Sequence, residues 1–241
     1  MPDAPPETWT EAPADGRPPP PAGSYPRGGP GLEFSRVSIF SDAVYAIALT
    51  LLVVALDVPQ APEDDPAALA SALWATRPNI VGFFVGFVLL GHFWLAHHQF
   101  FASLRSVDRP LIVLNLVYLA FVAFMPFPVA LISEFERNPV AFYVFAGCMA
   151  TISLLELVMF AYATRHGHTR APMSPEAIRF GLVSTGAPVA VMLLSLPLAA
   201  IHTTWALILW LVLVPLGLWL RRRGPRYPSP ARRIDRRGGA S

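Results

Sequence analysis

The sequence predicts an all-α membrane protein with six transmembrane helices in each subunit. Three observations carry this. Only 14% of the 241 residues are charged and 54% are hydrophobic, whereas a water-facing domain carries roughly 25% charge. The mean hydropathy is +0.48. The apolar residues are gathered into six blocks, each long enough to cross a bilayer, which needs about 20 residues of helix. A soluble enzyme, a nucleic-acid module and a disulfide scaffold all fit poorly, and the single cysteine, Cys148, has no internal partner for a bridge.

Residues 1–31 contain ten prolines and almost no large aliphatic side chain. They are expected to form a disordered tail, because such a segment buries too little surface to offset its ordering entropy. It also lacks the early apolar run of a signal peptide. The six-helix domain is expected over residues 32–220, with spans at 35–58, 79–101, 111–131, 140–164, 178–198 and 202–220. Pro59, Pro78, Pro110, Pro139 and Pro175 mark span edges, where proline is tolerated. Pro126, Pro128, Pro188 and Pro215 fall inside spans and should bend them. The short link between the last two spans predicts a tight helical hairpin. Residues 221–241 form an arginine-rich tail, also expected to be disordered.

All eighteen basic residues are arginine, which a GC-rich genome explains without a functional role. An even number of spans places both termini on one side, and sixteen of the eighteen arginines fall there, leaving Arg77 and Arg137 opposite. Asp57, Glu63, Asp64, Asp65, Glu134 and Glu136 collect on that opposite side. The arginine bias therefore predicts cytoplasmic termini. The C-terminal arginines can also contact anionic lipid headgroups.

Ionisable residues within spans are costly and are functional candidates by default. Here they are Asp42 in the first span, His92, His97 and His98 in the second, and Glu156 in the fourth, with Asn115 early in the third. Two interpretations of Asp42, His97 and Asn115 stay open: hydrogen-bonded glue between helices, or direct contact with a transported species. No metal site is expected, because the histidines lack further ligands at metal-site spacing.

The first span holds the most specific pattern. Arg36, Phe40, Ala43, Ile47, Thr50, Val54 and Asp57 step by alternating fours and threes, a seam on one helix face. Asp42 lies about 140° from Ile47 and points elsewhere. Ordinary helix packing also produces such a seam. If several copies surround an axis, however, the seam lines a narrow apolar pore with one hydroxyl layer, and Asp57 forms an acidic ring at its mouth.

Arg36, Phe40, Ser41 and Asp42, followed by AVYAIALTLLV, resemble the first-helix signature of the lysosomal potassium channel family (the transmembrane protein 175 family) and its bacterial homologues. Trp94 and His97 resemble the family's W-x-x-H in the second helix, and Asn115 with Pro126 its third-helix pattern. The tails and the last three spans show no matching motif. The resemblance implies a homotetramer of six-helix subunits with the first helix of each lining the pore. It implies a channel without the TVGYG carbonyl filter of ordinary potassium channels, and this chain has no such loop. By the same resemblance, Ile47 corresponds to the constriction, Thr50 to a hydroxyl layer and Val54 to a second aliphatic ring. Arg36, Ser41, Asp42, Trp94, His97 and Asn115 correspond to a supporting hydrogen-bond network. Ile47 stands where bacterial members often carry leucine, a nearly isosteric exchange.

The expected function is passive, potassium-preferring cation conduction, with potassium as the permeant ion, no cofactor, and no partners beyond further copies of the chain and membrane lipids. The expected location is the cell membrane. The alternative is a proton-coupled secondary transporter using Asp42, Glu156 and the histidines as a relay. Transporters usually carry an internal repeat, and none is found between residues 35–131 and 140–220. An intramembrane enzyme lacks a paired nucleophile and base.

Overall fold

The computed structural model describes residues 23–26, 33–170 and 175–201, with isolated positions 205, 206 and 209. Proline and short polar caps set where its helices begin. α1 (Glu33–Leu51) tightens into a 3-10 turn over Leu52–Ala55. α2 (Pro66–Ala75) is a short helix between the first two spans, and α3 (Arg77–Ser103) is the second span. α4 (Arg109–Phe124) and α5 (Pro126–Glu134) together make the third. α6 (Pro139–Arg165) and α7 (Pro175–Ile201) are the fourth and fifth. Asp65, Asp108 and Asn138 cap α2, α4 and α6 by accepting hydrogen bonds from first-turn N–H groups. Pro66, Pro110 and Pro139 follow those caps in positions that need no N–H.

Five helical stretches are long and apolar enough to cross a membrane among the described residues. The first, Phe34–Ala55, has 22 residues, about 33 Å at 1.5 Å per residue. Apart from Trp205, Ala206 and Leu209, the expected sixth span, with Pro215, lies outside the described residues, as does the expected 221–241 tail. Two expectations are refined. The third span is broken at Met125, because Pro126 has no N–H to continue the ladder and instead starts α5. The expected first span runs to residue 58, but the helix ends at Ala55, and Leu56 is already extended (φ −93°, ψ 104°). In contrast to Pro126, Pro188 and Pro197 lie within a continuous α7.

α1 packs on α3 and α4, while α6 packs on α4, α5 and α7. The core is built from Tyr45, Leu90, Leu111, Tyr118, Met125, Met149 and Ile152, all essentially inaccessible. α3 and α5 approach closely through glycine. A Cβ on Gly82 would collide with the Ser133 side chain, and one on Gly86 would lie 2.8 Å from Val129 Cγ1. Within the tail expected to be disordered, Tyr25–Pro26 forms a strand, β1, paired antiparallel with β2 (Ser106–Val107) in the α3–α4 loop.

Candidate functional site: the two faces of the first helix

The first helix divides its residues by face. Phe34, Ser41, Tyr45, Ala48 and Leu52 are buried against the bundle. At 100° per residue, Ser41 to Leu52 lie within one narrow sector, opposite the Ile47 seam. Every member of the predicted seam is exposed: Arg36, Phe40, Ala43, Ile47, Thr50, Val54 and Asp57. Ile47 is 59% and Val54 72% exposed, large values for aliphatic side chains. The Thr50 hydroxyl donates to the Ile47 carbonyl at 2.8 Å, so its proton is engaged and its oxygen lone pairs stay available. Val54 lies in the 3-10 turn, and Asp57 lies beyond the helix. Asp57 and Glu134 line a cavity of about 270 Å³ with Leu52, Asn79, Phe83 and Ser133.

Behind the seam, polar side chains tie three helices together. The His97 ring nitrogen Nε2 lies 2.8 Å from Asn115 Oδ1. That oxygen only accepts, so Nε2 carries the proton and donates. Asn115 Nδ2 donates to Ser41 Oγ at 3.0 Å, and Ser41 donates to the Val37 carbonyl at 2.8 Å. The chain therefore runs from α3 through α4 to α1 with each donor matched to an acceptor. His97, Asn115 and Ser41 are all buried. The His97 ring stacks on Phe101 at 4.5 Å and on Tyr118 at 5.2 Å between centroids.

A second contact runs separately. Trp94 Nε1 donates to Asp42 Oδ1 at 2.9 Å, linking α3 to the half-buried side of α1. The structure thus brings Ser41, Asp42, Trp94, His97 and Asn115 behind the seam, in two groups rather than one. Arg36 and Phe40 lie on the exposed face instead. The site also contains a pair the motifs did not indicate: the hydroxyls of Tyr45 and Tyr118 are hydrogen-bonded inside the core. Their signal was helical spacing, since Tyr45 follows Ser41 by four residues and Tyr118 follows Asn115 by three.

Of the residues named for a transporter relay, Asp42, His97 and His98 share one neighbourhood, with Trp94 bonded to Asp42 and its ring 5.5 Å from that of His98. His97 is bonded to the non-titrating Asn115, Asp42 to Trp94, and His92 and His98 lie at the surface. Glu156 on α6 is close enough to Tyr45 and Tyr118 to act on them electrostatically. Among the described residues, no three His, Cys, Asp or Glu side chains are placed to hold a metal ion.

Known proteins resemble this chain in sequence and fold. The profile of the family described as the endosomal/lysosomal potassium channel TMEM175 matches residues 36–126, from the first-helix motif to the break at Pro126. A Streptomyces collinus protein named as a potassium channel is 39% identical over 169 residues, which cover 66% of this chain and 81% of that protein. The human protein named as an endosomal/lysosomal proton channel is 38% identical over 116 residues, 45% of this chain but only 23% of the human one. The crystal structure of a lysosomal potassium-selective channel homologue from Chamaesiphon minutus superposes with a TM-score of 0.67 at 26% identity. It covers 80% of this chain and 98% of that one. The chain is a multi-pass membrane protein and belongs to the TMEM175 family of channels.

Proposed function

We propose that the chain is one subunit of a passive, potassium-preferring cation channel, a homotetramer in the cell membrane with both termini cytoplasmic. The observation that carries this reading is the seam of α1. Its residues are exposed from Arg36 to Val54, while the opposite face is packed and bonded into the bundle. A face of this kind suits a shared axis with other copies. The names of the relatives from Streptomyces collinus and Chamaesiphon minutus, both potassium channels, support the same function.

In this reading Ile47 forms the narrowest ring. Its apolar surface offers a cation nothing in place of its water, so the ring passes ions only when wide enough to stay wet. Thr50 forms the next layer. Because its hydroxyl proton is committed to the Ile47 carbonyl, the oxygen faces the axis as an acceptor, the polarity a cation needs. Val54 makes a second apolar ring, and Asp57 supplies negative charge at the mouth. The Ser41–Asn115–His97 chain and the Asp42–Trp94 bond hold the helix from behind. Arg36 stands at the cytoplasmic end of the seam. Selectivity then rests on size and one hydroxyl layer, with no carbonyl filter.

The test is ion flux through the purified protein in liposomes under potassium or sodium gradients. Ile47→Asn is expected to raise cation flux, since an amide keeps the constriction wet; unchanged flux would remove Ile47 from the pore. Wild-type flux is expected to favour potassium modestly and to need no pH gradient.

A further inference from the structure

At the arginine-rich end of the bundle, two segments distant in sequence are joined around one imidazole. His168, in the loop after α6, is fully buried. Its Nε2 lies 3.1 Å from Asp108 Oδ2 and its Nδ1 3.0 Å from Ser106 Oγ. A carboxylate only accepts, so Nε2 donates to Asp108, while Nδ1 is hydrogen-bonded to the Ser106 hydroxyl. Asp108 Oδ2 also accepts from the Tyr162 hydroxyl at 2.7 Å, and its Oδ1 caps α4 through the Leu111 N–H at 3.0 Å. Main-chain bonds reinforce the join: Arg105 N–H to the His168 carbonyl at 2.8 Å, and Arg170 N–H to the Ser103 carbonyl at 2.9 Å.

Ser106 and Asp108 flank Val107, so the ring fixes the loop that carries β2. The N-terminal segment rides on β2, with Tyr25 opposite Val107 and Pro26 opposite Ser106. β1 lies directly against α1, and Tyr25 packs on the buried core that includes Phe34 and Phe101. At the foot of α1, Phe34 is buried against Phe101, with ring centroids 6.2 Å apart. None of these contacts involves Ile47, Thr50 or Val54.

We infer that this clasp is a positioning device: His168, through Ser106 and Asp108, holds the strand that anchors the N-terminal segment and thereby fixes the foot of α1. It governs how much the channel conducts, not which ion it prefers. This rests on α1 lining the pore. Fixing an element beforehand removes the entropic cost of ordering it during function, and a loosened clasp returns that cost.

The experiment uses the full chain in liposomes. His168→Ala is expected to lower potassium flux several-fold with an unchanged potassium-to-sodium ratio. Ser106→Ala, which deletes one hydrogen bond and little volume, is expected to lower it less. Adding the cross-strand pair Tyr25→Cys and Val107→Cys to either variant should restore flux on oxidation and lose it again on reduction. Flux equal to wild type in both folded variants, a loss that oxidation does not repair, or a changed ion ratio would each overturn the clasp. Amide hydrogen exchange at residues 24–26 and 105–107 reads the clasp without reference to flux: faster exchange in His168→Ala supports it, and unchanged exchange overturns it. Ile47→Asn run alongside tests the pore by itself, so a failure of the pore is told apart from a failure of the clasp.

Discussion

Asn115 is the residue on which the buried network turns, because one amide both accepts from His97 and donates to Ser41. Asn115→Leu would leave the His97 Nε2–H buried without an acceptor. The expected cost is about 1–3 kcal/mol, read as a lower melting temperature in detergent. Trp94→Phe removes the donor to Asp42 at a more open position, and its cost should be about 1 kcal/mol. At Asp108, burial alone would raise the carboxyl's pKa. The hydrogen bond from Tyr162, the Leu111 N–H and the adjacent His168 outweigh burial and hold it below its usual value. A carboxyl depressed on folding contributes stability that is present above its unfolded value and lost as the pH falls through the folded one. Melting temperatures of wild type and Asp108→Asn should therefore differ at neutral pH and converge in strong acid.

Among the elements, α3 and α5 depend on glycine for their approach. Gly86→Leu must displace Val129, and overpacking of this kind costs about 1–3 kcal/mol. The expected outcome is a less stable protein with a broadened size-exclusion peak. The same elements show what the sequence could convey. The alternation of fours and threes in α1 was legible because a single face carries it, and the residues it selected are all exposed. The breaks at Pro126 and the caps before Pro66, Pro110 and Pro139 follow from proline's missing N–H. The end of α1 was not legible: Leu56 and Val58 extend the apolar pattern past it, and only the 3-10 tightening stops the helix before them. His168 and Asp108 were equally silent, since sixty residues separate them and only the packing of two loops brings them together. Tyr45 and Tyr118 carried the spacing of their neighbours but no motif.

For the whole molecule, α1 has two unlike faces, and the proposed assembly uses both. The subunit's interior satisfies His97, Asn115 and Ser41, while α1 turns a long aliphatic face outward. Four copies would bring those faces together, and a closed ring is the usual solution for identical subunits. Mass measurement in detergent or nanodiscs is expected to give four times the 26.3 kDa chain. A monomer or dimer would leave the Ile47 ring without enough members to close.

The 3-10 turn at Leu52–Ala55 has a geometric consequence for the outer half of that ring system. Three steps at 120° rather than 100° carry Val54 about 60° around the axis relative to an unbroken α-helix. The tighter winding also adds about 2 Å of length. Val54 is thus in register with Leu51, three residues back, and turned about 100° from Thr50. Unwinding or rewinding this one turn shifts the outer aliphatic layer while Ile47 and its braces stay still. In the proposed channel the two apolar rings would then be mechanically separable, a fixed waist beside an adjustable collar.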